Sequence, residues 1–197
     1  MTSHPAEFLA ELEAALTGRG WTTEKLLDIQ VNLLTGGPGP RFAEYTSPEE
    51  DLEVHTRAYP GGNTDIELLG YGWKADLAAG RSLQRALAAI DAAHADAAAI
   101  AADNPDERSL PELLDAAGWT WSRDTQCQHG TENTWYSPDG TARIRNSLEF
   151  LPETGWLLTL APGFTENNTW TGDDDTPPAV IIALASSSAD TTERAAS

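Results

Sequence analysis

Two Ser-Pro corners stand ninety residues apart, in "TSPEEDLEV" (46–54) and "YSPDGTARI" (136–144), and each opens a run of period two. After the first, Leu52, Val54 and Thr56 alternate with Glu53, His55 and Arg57. After the second, Ala142, Ile144 and Asn146 alternate with Arg143, Arg145 and Ser147. Alternation of this kind is the mark of a strand with one buried face. Pro48 and Pro138 preset the φ that the second position of a tight turn requires, and Asp139 and Gly140 suit the positions that follow. The two corners therefore predict two hairpins of the same design.

The surroundings repeat as well. Phe8, Leu9, Leu12, Ala15 and Leu16 recur at helical intervals before the glycines of "TGRGW". In "SLPELLDAAGW", Ser109 is a candidate N-cap, Pro111 falls in the first turn, and Gly118 ends the helix before Trp119. Downstream, "RSLQRALAAIDAAHADAAAIAA" sets Leu83, Leu87 and Ile90 on one helical face, and "DDDTPPAVIIALASSSA" sets Val180, Leu184 and Ser187 in the same order. Trp73 and Trp170 each precede these helices by ten residues, and Pro48 to Ile66 equals Pro138 to Trp156 at eighteen. Only 26–42 and 164–168 break the match. The expected fold is α+β, a tandem duplication of a helix, an antiparallel three- or four-stranded sheet and a helix. Copy one covers 1–101 and copy two, the more regular, covers 102–197. Two domains and one continuous sheet are both open, with close packing favoured over a free linker.

The residues that carry the second copy, "AAGW" (116–119), "YSPDGTARI", Trp156, Trp170 and "TPPAVIIALASSSA", resemble the two-copy streptomycete domain of unknown function with a Ser-Pro-Asp motif, the SPDY-type domain. The first copy departs from the motif at Glu49, where the pattern has Asp. The resemblance implies two like copies and no activity.

Composition bounds the partners. A formal charge of −19, from 31 acidic and 12 basic residues, repels phosphate backbones, so no direct nucleic-acid binding is expected. The same charge keeps the chain soluble or engages a basic partner. No apolar run approaches the roughly 20 residues that span a bilayer, so no membrane association is expected. The acidic N-terminus is unlike an export signal, and the single Cys127 suits a reducing compartment, so a cytoplasmic location is expected.

No residue is assigned a catalytic, cofactor-binding or metal role, and no cofactor is expected. In "GDDDTPP", Asp175 or Thr176 before Pro177 reads as the cap of a helix, although 173–175 could hold a divalent cation. Cys127 and His129 lie close in sequence without the rest of a nucleophile's machinery. "GGPGP" (36–40) lacks the ending of a phosphate loop, and Glu49, Glu50 and Asp51 read as a solvated turn. Trp21, Trp119, Trp73 and Trp170 read as core anchors, whereas Trp121, which answers to Thr23 in the first copy, is a candidate contact residue. The expected function is a non-enzymatic acidic protein-interaction module, chaperone-like or an inhibitor/immunity protein of an actinobacterium. Its partner is another protein with a basic surface. The alternatives are a DNA mimic and a metal-dependent hydrolase using Asp139 or the acids of 173–175.

Overall fold

The computed structural model describes residues 5–28, 39–60, 63–78, 82–106, 108–127, 130–147, 155–160, 169–173 and 175–186. Helix α1 (Pro5–Gly18) ends where Gly20 turns to φ +84°, and α3 (Leu110–Ala116) ends where Gly118 turns to φ +77°. This left-handed conformation costs a residue with a Cβ but not glycine. The chain then folds back, so that the Trp21 N–H donates to the Leu16 carbonyl (3.1 Å) and the Trp119 N–H to that of Leu114 (2.9 Å). Each tryptophan is delivered to the core at the mouth of a strand, β1 (Thr22–Asp28) and β6 (Thr120–Cys127).

Each edge strand leads into an antiparallel meander. The first runs through β2 (Arg41–Thr46), β3 (Glu53–Ala58), β4 (Thr64–Gly70) and β5 (Trp73–Asp76), and passes to α2 (Leu83–Ala101). The second runs through β7 (Gly130–Tyr136), β8 (Ala142–Ser147), β9 (Trp156–Leu160) and β10 (Thr169–Gly172), and passes to α4 (Pro178–Ala185). All ten strands lie in one sheet of order β1-β2-β3-β4-β5-β10-β9-β8-β7-β6.

This topology corrects the expected fold class. The chain is not a tandem pair of three- or four-stranded sheet units but one ten-stranded antiparallel sheet with four helices. Separate small sheets would each leave an open edge at β5 and at β10. Pairing Ala75 with Gly172 closes both. The strand count fell short because β1, "TTEKLLD", and β2, "RFAEYT", do not alternate cleanly in the primary structure, and 26–42 reads as an inserted loop. The matched position of Trp73 and Trp170 is corrected too. Leu68 faces Ala75 across the β4–β5 pair, and Leu158, its counterpart ninety residues on, faces Trp170. Trp170 therefore answers to Ala75, two residues beyond Trp73. The 164–168 segment lies outside the described residues.

Residues opposite one another across strands share a face. Tyr45, Val54, Leu68 and Ala75 form one such row and are buried, as are Ile144 and Leu158 in the other half. The helices cover this face with Phe8, Leu12 and Leu16 of α1, Ala89, Ile90 and Ala93 of α2, Leu114 of α3 and Val180 and Leu184 of α4, giving a single core. Each such leucine or isoleucine contributes roughly 1.5–3 kcal/mol on burial. Helices α2 and α4 pack against each other, and α4 also lies against β8 and β9. On the opposite face of β2 to β5 the row reads Glu44, His55, Glu67, Asp76, and among the described residues none of these four belongs to the helix-covered core. Among the described residues, no helix is long and apolar enough to cross a membrane.

Candidate functional site

The first Ser-Pro corner gathers polar groups by its own hydrogen bonds. Ser47, 2% exposed, accepts at Oγ from the backbone N–H groups of Asp51 (3.2 Å) and Leu52 (3.1 Å) and donates to Asp51 Oδ1 (2.7 Å). Glu50 takes φ +58°, held by its N–H bond to the Ser47 carbonyl (3.0 Å). In the second corner, Ser137 Oγ accepts from the Ala142 N–H (2.8 Å) and donates to Asp139 Oδ1 (2.6 Å), and Gly140 takes the positive φ. The glycines that end α1 and α3 leave room for these corners: a Cβ at Gly20 or Gly118 would touch the ring of Pro48 or Pro138. Replacing Ser47 with alanine orphans the buried Leu52 N–H and releases Asp51. We expect a loss of about 1–3 kcal/mol, measured by urea unfolding.

Helix α2 runs past the first corner and makes two clefts with it. The first, about 700 Å³, has Trp21, Pro48 and His94 in its wall, with the Arg19–Asp91 ion pair (2.6 Å) at its side. His94 meets the Trp21 ring edge-on at 5.8 Å between centroids, and its Nδ1 lies 3.5 Å from Asp51 Oδ1. Glu49, Asp51 and His94 bring one donor atom each within 4.8 Å of one another. Two oxygens and an imidazole nitrogen are a donor set that Zn²⁺ or Mn²⁺ accepts.

The second cleft, about 720 Å³, lies on the other side of the corner. Its floor is apolar: Leu69, Trp73, Ala93 and Ala97, with Tyr71 on the β4–β5 turn and Ile100 on the last turn of α2. Tyr71 is 102% and Ile100 60% exposed, which for large apolar side chains is unusual beside a formed core. Tyr71 is held outward by a two-residue turn whose Gly72 has φ +83°. The rim is acidic, with Glu50, Glu53, Asp96 and Asp175, and among the described residues no Lys or Arg lines the groove. Burial, and then the Asp106 carboxylate, raise the pKa of Asp96, so its charge is incompletely solvated where it stands.

A smaller cleft of about 230 Å³ opens where β4, β5 and β10 meet, with Arg57, Asp65, Glu67, Lys74, Asp76 and Asp173 in its wall. The joint itself is narrow. Beside the Ala75–Gly172 pair, the Lys74 N–H donates to Asp173 Oδ2 (3.1 Å), and Thr176 Oγ1 donates to the Lys74 carbonyl (3.0 Å).

The acids singled out in the sequence are dispersed. Asp139 Oδ1 accepts from the Ser137 hydroxyl and from the Thr141 N–H (3.0 Å) and hydroxyl (2.8 Å), so it serves its turn. Asp173 ties β10 to β5, Asp174 is outside the described residues, and Asp175 stands on the groove rim. The capping expectation is corrected: the N-cap of α4 is Pro177, and the Thr176 hydroxyl goes to β5 instead. Ser109 caps α3, with its N–H and hydroxyl both donating to Glu112 Oε2 (2.8 and 2.7 Å). His129 is outside the described residues, as are 36–38 of the glycine-rich segment. Trp121, 54% exposed on edge strand β6, lines none of these three clefts. In the sequence His94 stands alone, and Tyr71 and Ile100 pass unremarked; an Ile and a His on an alanine-rich helix carry no local signal until the helix's neighbours are known.

The chain matches no family model, no curated protein and no solved structure.

Proposed function

We propose that this chain is a non-enzymatic acidic protein-interaction module that engages a partner with a basic surface, with a chaperone or an inhibitor or immunity protein as its concrete forms. The observation that carries this reading is an exposed apolar floor inside an acidic rim. Apolar patches rimmed by polar groups mark interaction sites, and a formal charge of −19 steers a basic partner toward the surface. The cytoplasm suits a chain with one cysteine. The described acids are spread over α1, α2, α3, both corners and the sheet, which weighs against a DNA mimic. The Ser-Pro-Asp resemblance is compatible with the same reading, since it implies no activity.

The test is capture of partners from an actinobacterial lysate on the immobilised chain at 50 mM and 500 mM salt. A partner retained at low salt and released at high salt is expected. An empty column, or a partner indifferent to salt, counts against the reading.

A further inference from the structure

We infer that the groove between the Ser-Pro corner, the β4–β5 turn and the end of α2 takes a short cationic amphipathic segment of a partner protein, its apolar side chains on Tyr71 and Ile100 and its Lys or Arg on the acidic rim. The inference rests on the module reading and locates it.

Charge complementarity selects the occupant. The groove is lined by no basic residue, and no ion pair is found for Glu50, Asp96 or Asp175 among the described residues. Carboxylates without partners beside an apolar floor favour a ligand that supplies both cations and apolar surface. A purely apolar segment would partly desolvate those charges without compensation. A second copy of this chain brings another −19 and is repelled. The chain's own residues outside the described set are a poor match, since they hold only two basic residues, Arg81 and Arg194, in separate segments, too few to answer an acidic rim. A foreign cationic segment remains. A cleft of about 720 Å³ falls within the range that encloses several side chains of a ligand. Recognition of this kind places apolar anchors in the groove and leaves the charged face for the rim.

The geometry also divides the work between residues. Tyr71 and Ile100 supply apolar contact at little cost to the fold, because both are already in water in the free chain. The rim acids supply steering and registry, and their share is screened by salt.

The probe is a fluorescein-labelled fourteen-residue peptide of Leu and Lys patterned as an amphipathic helix, with an all-Lys peptide of equal length as the charge-only control. Anisotropy titrations compare the natural chain, the double variant Tyr71→Ser/Ile100→Ser, the rim variant Asp96→Asn/Asp175→Asn and Trp121→Ser as an exposed aromatic remote from the groove. The expected result is at least tenfold tighter binding of the Leu/Lys peptide than of the all-Lys peptide. The double variant should lose at least tenfold, the rim variant should lose affinity together with part of the salt dependence, and Trp121→Ser should bind as the natural chain does. Far-UV circular dichroism confirms that each variant is folded. Unchanged binding by the double variant overturns the groove while leaving the module reading intact, provided that lysate capture remains salt-dependent. Loss of both peptide binding and lysate capture in the natural chain overturns both. A concentration-dependent dimer, seen by light scattering and abolished by the double variant, assigns the groove to a second copy and overturns the cationic occupant.

Discussion

Gly172→Ala is expected to destabilise the protein by roughly 3 kcal/mol, well beyond an ordinary surface substitution. Gly172 on β10 pairs with Trp156 at the start of β9, and the indole lies across the glycine backbone. A Cβ there would meet Cζ2, Cε2 and Nε1 of the ring inside van der Waals contact. Trp156 is 1% exposed, so the ring has no open space into which to retreat. Gly70 on β4 presents the same geometry to Trp73, but Trp73 is half-buried, and its ring can swing toward the groove. Gly70→Ala should therefore cost markedly less. Urea unfolding of the two variants checks the contrast, and a Trp156→Leu background supplies the control, since the Gly172→Ala penalty should largely disappear once the indole is gone. Equal small losses at both glycines would mean that the indole does not lie over β10.

The same residues show what the primary structure discloses. Helix ends were legible because their determinants are local: Gly20 and Gly118 adopt positive φ where the sequence places them, and Ser109 sits at its cap. The corners were legible for the same reason, since Ser47 and Ser137 bond only to residues a few positions downstream. The ten-stranded sheet was not legible. Its central joint rests on Ala75 meeting Gly172, nearly a hundred residues apart, and neither residue type signals a partner. The counts misaligned Trp73 with Trp170 because spacing measured along the chain ignores register, and register is fixed by pairing across strands. The candidate site escaped for a related reason. Tyr71 reads as a turn residue and Ile100 as one more apolar position of a helix; only the way α2 crosses the corner and the β4–β5 turn makes them one surface.

Asp76→Asn is expected to stabilise the protein at pH 7.5 by up to about 3 kcal/mol, an unusual direction for a half-buried acid that already holds a hydrogen bond. Asp76 lies on β5 at the end of the row of Glu44, His55 and Glu67, and burial pushes its pKa up from 3.8 to about 6. The Ala78 N–H, donating to Oδ1 at 2.7 Å, opposes that shift, whereas the nearby Asp65 and Glu67 carboxylates reinforce it. A carboxyl whose pKa is raised by folding binds its proton more tightly in the native state. Its contribution to stability is complete below pH 4 and is lost as pH rises through about 6, so at neutral pH the native state carries the full penalty of a poorly solvated charge. Asparagine keeps an oxygen for the Ala78 N–H and removes the charge, and so removes the penalty. The gain should shrink by more than half at pH 4.5, where the aspartate is already largely protonated in the folded chain. Comparing the two proteins at each pH separates this effect from the general relief of self-repulsion on acidification, which both share. Because Asp76 lines the cleft where β5 meets β10, its charge weighs on the narrow joint between the two halves of the sheet. Urea unfolding at pH 4.5, 6.0 and 7.5 decides the matter. A variant no more stable than the natural chain at pH 7.5 would mean that water reaches this carboxylate freely and that the joint carries no such charge.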